Sequence, residues 1–259
     1  MPMYNDPKWA TIIAGLLREL ILNRGYACIS MCNYGNEPNG WWTYGCPDFS
    51  DYQQGVQNLR TALNQPGDVG SQIKISGSSS YWPDSNLFQW VGQTASQMSA
   101  ALGGYDIHWY SSSDELASDY LQTSVESMRA TINSNDPDGS SKDFYILEAG
   151  IVNPNGDYQP GVTEFCCGVA MADYAAQAMR GGISEISTWY LDDAMYWKEW
   201  GFWNSRNSTN GGSATRPWFY AWSMMSQLFP RRGTTDLHPV FRHDRLNCGG
   251  DEKVPWLQL

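Results

Sequence analysis

Two glutamates close apolar runs in this chain of 259 residues. Glu37 lies in Asn33-Tyr-Gly-Asn-Glu-Pro-Asn-Gly40, just after the run Tyr26–Cys32, and Glu148 ends the run in Phe144-Tyr-Ile-Leu-Glu-Ala-Gly150. A carboxylate at the end of a buried strand is costly unless it is paired or hydrogen-bonded. Taken singly, each glutamate reads as a salt-bridged or capping residue at a strand-to-helix turn. Taken together, they supply the two groups that hydrolysis of a glycosidic bond requires. One carboxyl group protonates the leaving oxygen, and the other attacks the sugar or activates water. No cofactor is needed for that chemistry.

The elements that would position these residues can be read from periodicity. Asp6 can cap a helix with Pro7 in its first turn, and Trp9, Ile12, Ile13, Leu16, Leu17 and Leu20 then form one apolar stripe until Gly25. Tyr26–Cys32 reads as a parallel strand buried on both faces. The same unit recurs, with helices expected over 51–64, 87–102, 115–133 and 163–180. Each precedes a strand, over 72–76, 105–110, 143–148 and 183–189, and a last helix spans 217–229. Strands that alternate with helices of this length predict right-handed βαβ units and a parallel sheet of five strands. The tail from Arg231 to Leu259 shows neither period and reads as irregular, so the expected domains are a barrel segment over 1–230 and a tail over 231–259.

Composition narrows the function classes. A formal charge of −11 argues against nucleic acid and against an anionic membrane surface, because phosphates would be repelled. Thirteen Trp and 15 Tyr, many in loop-like segments such as Asn39–Tyr44, Tyr81–Trp82 and Tyr196–Trp203, suit either sugar faces or the filling of core and loop gaps. The six cysteines (28, 32, 46, 166, 167 and 248) show no CxxC spacing, which makes a zinc site unexpected and free buried thiols the default. The first residues carry no basic stretch followed by an apolar run, and no segment has the pattern of a membrane span. No glycine-rich phosphate loop is present.

Asn36-Glu37-Pro38 after a strand, a second strand-end glutamate in Leu147-Glu148-Ala149-Gly150, and a final strand ending in Trp189 together resemble the retaining (β/α)8-barrel glycoside hydrolases of clan A, in the manner of families 5 and 39. The two glutamates are 111 residues apart, similar to that clan's spacing between its fourth and seventh strands. The resemblance covers roughly Asp6 to Phe229 and has no counterpart for the clan's first three strands. It implies a partial TIM-type α/β barrel in which Glu37 is the acid/base, Asn36 the donor to the sugar 2-hydroxyl, Glu148 the nucleophile and Trp189 the sugar platform. His108 and Tyr110 end the strand between, where the clan often places a His or Tyr near the nucleophile. Trp41 and Trp42 follow the acid/base loop and either stack on a neighbouring sugar or pack the loop.

The expected activity is therefore cleavage of β-linked glycosides or polysaccharides by double displacement. Its rival is a non-catalytic sugar-binding remnant of a truncated barrel. Asp192 and Asp193 either bind hydroxyls at the edge of the site or cap the next loop, and Cys166–Cys167 reads as packing before redox chemistry. Two exposed sheet edges and a bare inner face further predict a homo-oligomer, with the Tyr26–Cys32 strand at a subunit contact or the tail folded across the opening.

Overall fold

A computed structural model describes residues 4–43, 48–82, 84–152, 164–191, 201–204, 214–228 and 256–258. Five parallel strands with flanking helices form a partial TIM-type barrel. They are β1 (Met31–Asn33), β2 (Lys74–Trp82), β3 (Gly104–Ser111), β4 (Asp143–Ile151) and β5 (Glu185–Thr188), side by side in chain order. The helices are α1 (Pro7–Arg18), α2 (Phe49–Leu63), α3 (Leu87–Met98), α4 (Ser113–Ala117), α5 (Tyr120–Asn135), α6 (Phe165–Gly181) and α7 (Pro217–Leu228). The chain divides into two compact units. One holds residues 1–108, 128–145 and 245–259, and the other holds 109–127 and 146–244.

In the first unit, α1 starts as its sequence dictates. The Asp6 side chain accepts from the Lys8 N–H at 2.9 Å, Pro7 occupies the first turn, and Ala10, Ile13, Ala14 and Leu17 are buried on one stripe. Asp48 caps α2 in the same way, accepting from the Asp51 N–H at 3.1 Å, and Tyr52, Val56, Leu59 and Leu63 fill its inner face. β1 pairs with β2 in parallel, Cys32 opposite Ile75. It is shorter than Tyr26–Cys32 suggests, because the Ala27 and Ile29 N–H groups bond back to Gly25 O and Tyr26 O in local turns. Cys28 in that turn region is disulfide-bonded, its partner lying outside the described residues, so a free thiol is the wrong expectation there. Burial pushes the free thiol of Cys32 up to about 12.

β2 runs past its expected end through Gly77–Ser80 to Tyr81 and Trp82, which are therefore strand residues and not loop residues. Serines are weak strand formers. Here they are buried and bonded, with Ser78 Oγ and Ser80 Oγ 2.6 Å apart and Ser79 Oγ donating to Asp106 Oδ1 at 2.6 Å. On its other side β1 pairs with β8 (Trp256–Gln258), also in parallel, Met31 opposite Trp256. The strand edge expected to lie bare thus has a partner from the same chain, and the tail is not irregular throughout.

In the second unit, the helix expected over 115–133 is split. Ser112 and Glu115 form a capping box that starts α4, and Asp119 takes a left-handed φ of 54° before α5. α6 ends as expected at Gly182, whose φ of 103° only glycine adopts without strain. Phe202 stacks on Trp218 of α7 at 4.0 Å, beside the short antiparallel pair β6 (Trp203–Asn204) and β7 (Ala214–Thr215). Cys167 is buried and its thiol pushed up to about 12, consistent with packing, whereas Cys166 is exposed. Asp192, Asp193, residues 196–200 and 205–213 with the Asn207-Ser208-Thr209 sequon, Cys46 and Cys248 lie outside the described residues. Among the described residues no helix is long and apolar enough to cross a membrane.

β3 is buried along its whole length, as a strand covered on both faces must be. Its period of two places Tyr105, Ile107 and Trp109 on one face and Asp106, His108 and Tyr110 on the other. The first set meets the helices: Tyr105 OH donates to Asp136 at the end of α5 (2.6 Å), and Trp109 packs on Tyr120 while its carbonyl accepts from Tyr174 OH (2.8 Å). Ile107, fully buried between these rings in sequence, should therefore cost about 2–5 kcal/mol when cut to alanine. Urea unfolding of Ile107→Ala checks this, and a midpoint equal to the wild type's would contradict the assignment of β3 to the core.

Candidate active site

Glu37 lies one turn beyond β1 and is only 8% exposed. Two successive turns hold it, closed by Gly40 N–H to Glu37 O (2.9 Å) and Thr43 N–H to Gly40 O (3.0 Å). Pro38 sits second in the first turn, where its fixed φ is favourable. The Thr43 hydroxyl donates to Glu37 O at 2.6 Å, and Asn39 ties the loop to β2 by accepting from Tyr81 N–H (2.7 Å). Glu37 itself has a φ of 48°, in the left-handed region that side chains other than Gly, Asn and Asp rarely occupy. Backbone strain of this kind persists where surrounding contacts over-determine a functional geometry.

Both oxygens of the Glu37 carboxyl group are engaged. Trp42 Nε1 donates to Oε2 at 2.7 Å, and His108 Nδ1 lies 3.0 Å from Oε1. Indole nitrogen only donates, so Oε2 acts as an acceptor. Imidazole Nδ1 donates or accepts by tautomer, so Oε1 keeps this bond with or without a proton. His108 is fully buried on β3. Gly40 makes room for this arrangement, since a Cβ there would meet the Trp42 ring at 2.4 Å.

Glu148, 6% exposed near the end of β4, accepts from Tyr110 OH at 2.8 Å. Next to it, Ala149 O accepts from the Trp189 N–H at 2.9 Å, which ties Trp189 to the nucleophile candidate's strand. Trp189 is half-buried just past β5, its ring 5.2 Å from that of Tyr190. The expected residues therefore gather in two sets: Glu37, Trp42 and His108, then Tyr110, Glu148 and Trp189. Asn36 is exposed, with backbone bonds to Tyr4 OH (3.2 Å) and Thr43 Oγ1 (3.2 Å), and Trp41 is exposed.

A further group escapes the sequence reading. Asn33 on β1, Ser79 on β2 and Asp106 on β3 form one buried cluster, with Asn33 Nδ2 donating to Asp106 Oδ2 (3.0 Å) and to Ser79 Oγ, while Asn33 Oδ1 accepts from Gly35 N–H (2.9 Å). A signal for it exists: Asp106, like Glu148, is a carboxylate inside an apolar strand, two residues before His108 on the same face.

With the geometry established, comparison with known proteins gives the fold a context. No family model and no curated protein matches the chain. Solved structures do. An α-L-arabinofuranosidase from Thermotoga maritima matches 73% of this chain and 38% of its own length, at 14% identity and a TM-score of 0.55. A GH51 arabinofuranosidase from Xanthomonas axonopodis pv. citri matches 76% of this chain and 42% of its own, at 14% identity and 0.52. A bacterial orthologue of human α-L-iduronidase matches 88% of this chain and 42% of its own, at 11% identity and 0.62. The chain shares its fold with glycoside hydrolases. It spans about two fifths of the length of these structures.

The buried cluster generates its own prediction. Asn33→Ala removes two donors from buried oxygens and should destabilise the protein by about 1–3 kcal/mol, the cost of an unsatisfied buried group. Denaturant unfolding reads the loss, and Asp106→Ala in the same background should then cost less than it does alone. Additive losses would contradict the coupling.

Proposed function

We propose that this chain is a retaining glycoside hydrolase of clan A type, with Glu37 as general acid/base and Glu148 as nucleophile. The observation that carries the reading is that each unit holds one of the two carboxyl groups buried and hydrogen-bonded: in the first, His108 meets Glu37 at 3.0 Å, and in the second, Tyr110 donates to Glu148 at 2.8 Å. The likeness in fold to proteins named as arabinofuranosidases and an iduronidase supports a glycosidase class.

In the mechanism, the Glu37 carboxyl group donates its proton to the leaving oxygen as the Glu148 carboxylate attacks the anomeric carbon. The leaving group departs as an alcohol. Water then attacks the glycosyl-enzyme ester while Glu37 takes its proton back, returning Glu148 as carboxylate. Tyr110 orients Glu148, and Trp42 and His108 hold Glu37. Trp189 is the platform for the sugar, and Asn36 donates to its 2-hydroxyl. The substrate class is a β-linked glycoside, oligosaccharide or polysaccharide. The exposed Ile12, Leu16 and Leu22 on the first helical segment support association into a homo-oligomer.

A panel of nitrophenyl glycosides, α-L-arabinofuranoside included, tests the activity. Glu148→Gln should lower kcat by about 10^4 or more. Glu37→Ala should lose about 10^2–10^4 on substrates with poor leaving groups. With azide, Glu37→Ala should recover rate and yield a glycosyl azide of the substrate's own anomeric configuration, whereas Glu148→Ala should give the inverted azide. The reverse pattern exchanges the roles, and a wild type inert on the whole panel that still binds sugar makes the chain a binding remnant.

A further inference from the structure

The turns that carry Glu37 also wall a cavity of about 630 Å3, bounded on the other sides by the starts of α2 and α3. That volume lies within the ~300–1,000 Å3 typical of sites for small organic ligands. Its lining combines rings with short polar side chains. Trp41 lines the cavity together with Phe49 and Trp90, whose rings are in edge contact at 5.1 Å, and with Asn86 just before α3 and Gln89 and Gln93 on that helix. Flat rings beside amides are what the alternating apolar faces and hydroxyls of a sugar require.

Trp41 is 90% exposed, next to Trp42, which is fixed by its bond to Glu37 and by its edge contact with Tyr81 at 5.1 Å. The second turn, Gly40–Thr43, therefore presents the Trp41 indole outward from a rigid base. Asn39 and Asn86, also in the lining, bond through their side chains (Nδ2 to Oδ1, 2.8 Å), so that part of the wall is preorganised. Among the described residues that line the cavity, the charged ones are Asp48 and Asp84, and none is basic. Two carboxylates repel a uronate or a sulfated sugar.

We infer that this cavity is a subsite for an uncharged sugar unit of an oligosaccharide, stacked on Trp41 and hydrogen-bonded by the amides of α3. That this unit is the leaving-group sugar rests on the reading of Glu37 as the acid, since the acid faces the oxygen that departs. Binding itself does not depend on that reading. The substrate is accordingly a neutral oligo- or polysaccharide chain that extends past the scissile bond, not a charged glycan.

Calorimetric titration in a Glu148→Gln background, which prevents turnover, tests the subsite with xylotetraose, cellotetraose, mannotetraose and arabinotetraose, and with tetragalacturonate as the charged counterpart. At least one neutral tetrasaccharide should bind, tetragalacturonate should not, and Trp41→Ala should weaken the neutral ligand by about tenfold or more, the scale of one lost aromatic stack with its buried area. No binding by any neutral tetrasaccharide, equal binding by Trp41→Ala, or tight binding of tetragalacturonate overturns the subsite. If the pattern holds while the wild type hydrolyses no glycoside, the subsite stands and the catalytic reading falls. Hydrolysis without any dependence of binding on Trp41 does the opposite.

Discussion

A carboxylate can be buried in a protein only where donors meet its oxygens, and this requirement governs the arrangement around β3. Asp106, His108 and Tyr110 alternate with Tyr105, Ile107 and Trp109, so one strand presents an apolar face to helices and a polar face away from them. The polar face satisfies three acids in turn. Asp106 is held by Asn33 and Ser79, Glu37 meets His108, and Glu148 meets Tyr110. Serines 78–80 would not form a strand by propensity, and their hydrogen bonds account for β2 continuing through them.

The loop after β1 shows how local geometry is made to serve such a site. Pro38, Gly40 and Thr43 close two turns within seven residues, and the side chain of Asn39 fastens them to β2 and α3. The cost is a left-handed φ at Glu37, which a glycine would take freely and a glutamate does not. The indole of Trp42 sits where a Cβ on Gly40 would be, so the sequence Gly-Trp-Trp is a steric unit: the glycine admits one ring and the turn exposes the other.

Much of this is legible in the sequence. The apolar runs give the five strands, Asp6 the start of the first helix and Gly181–Gly182 the stop of α6, and the two strand-end glutamates stand out because carboxylates are rare there. What is not legible depends on contacts distant in the chain. The shortening of β1 follows from local turns that compete with the ladder, and the partnering of its edge by Trp256–Gln258 follows from pairing over more than 200 residues. Asp106 escapes notice because its partners, Asn33 and Ser79, come from two other strands, although its place in an apolar strand is the same signal that singles out Glu148. The start of α4 has a trace in the capping box Ser112-x-x-Glu115, whereas the left-handed turn at Asp119 interrupts an otherwise continuous helical pattern.

The central claim is that Glu148 forms a covalent bond to the sugar while Glu37 does not. Intact-protein mass spectrometry after incubation with activated 2-deoxy-2-fluoro glycosides of neutral sugars tests it directly, because the fluorine slows hydrolysis of the glycosyl-enzyme ester and lets it accumulate. The account predicts a single added glycosyl mass that peptide mapping places on Glu148 and that Glu148→Gln lacks. A label on Glu37, or turnover of natural glycosides by a protein that never accumulates an adduct, would contradict it.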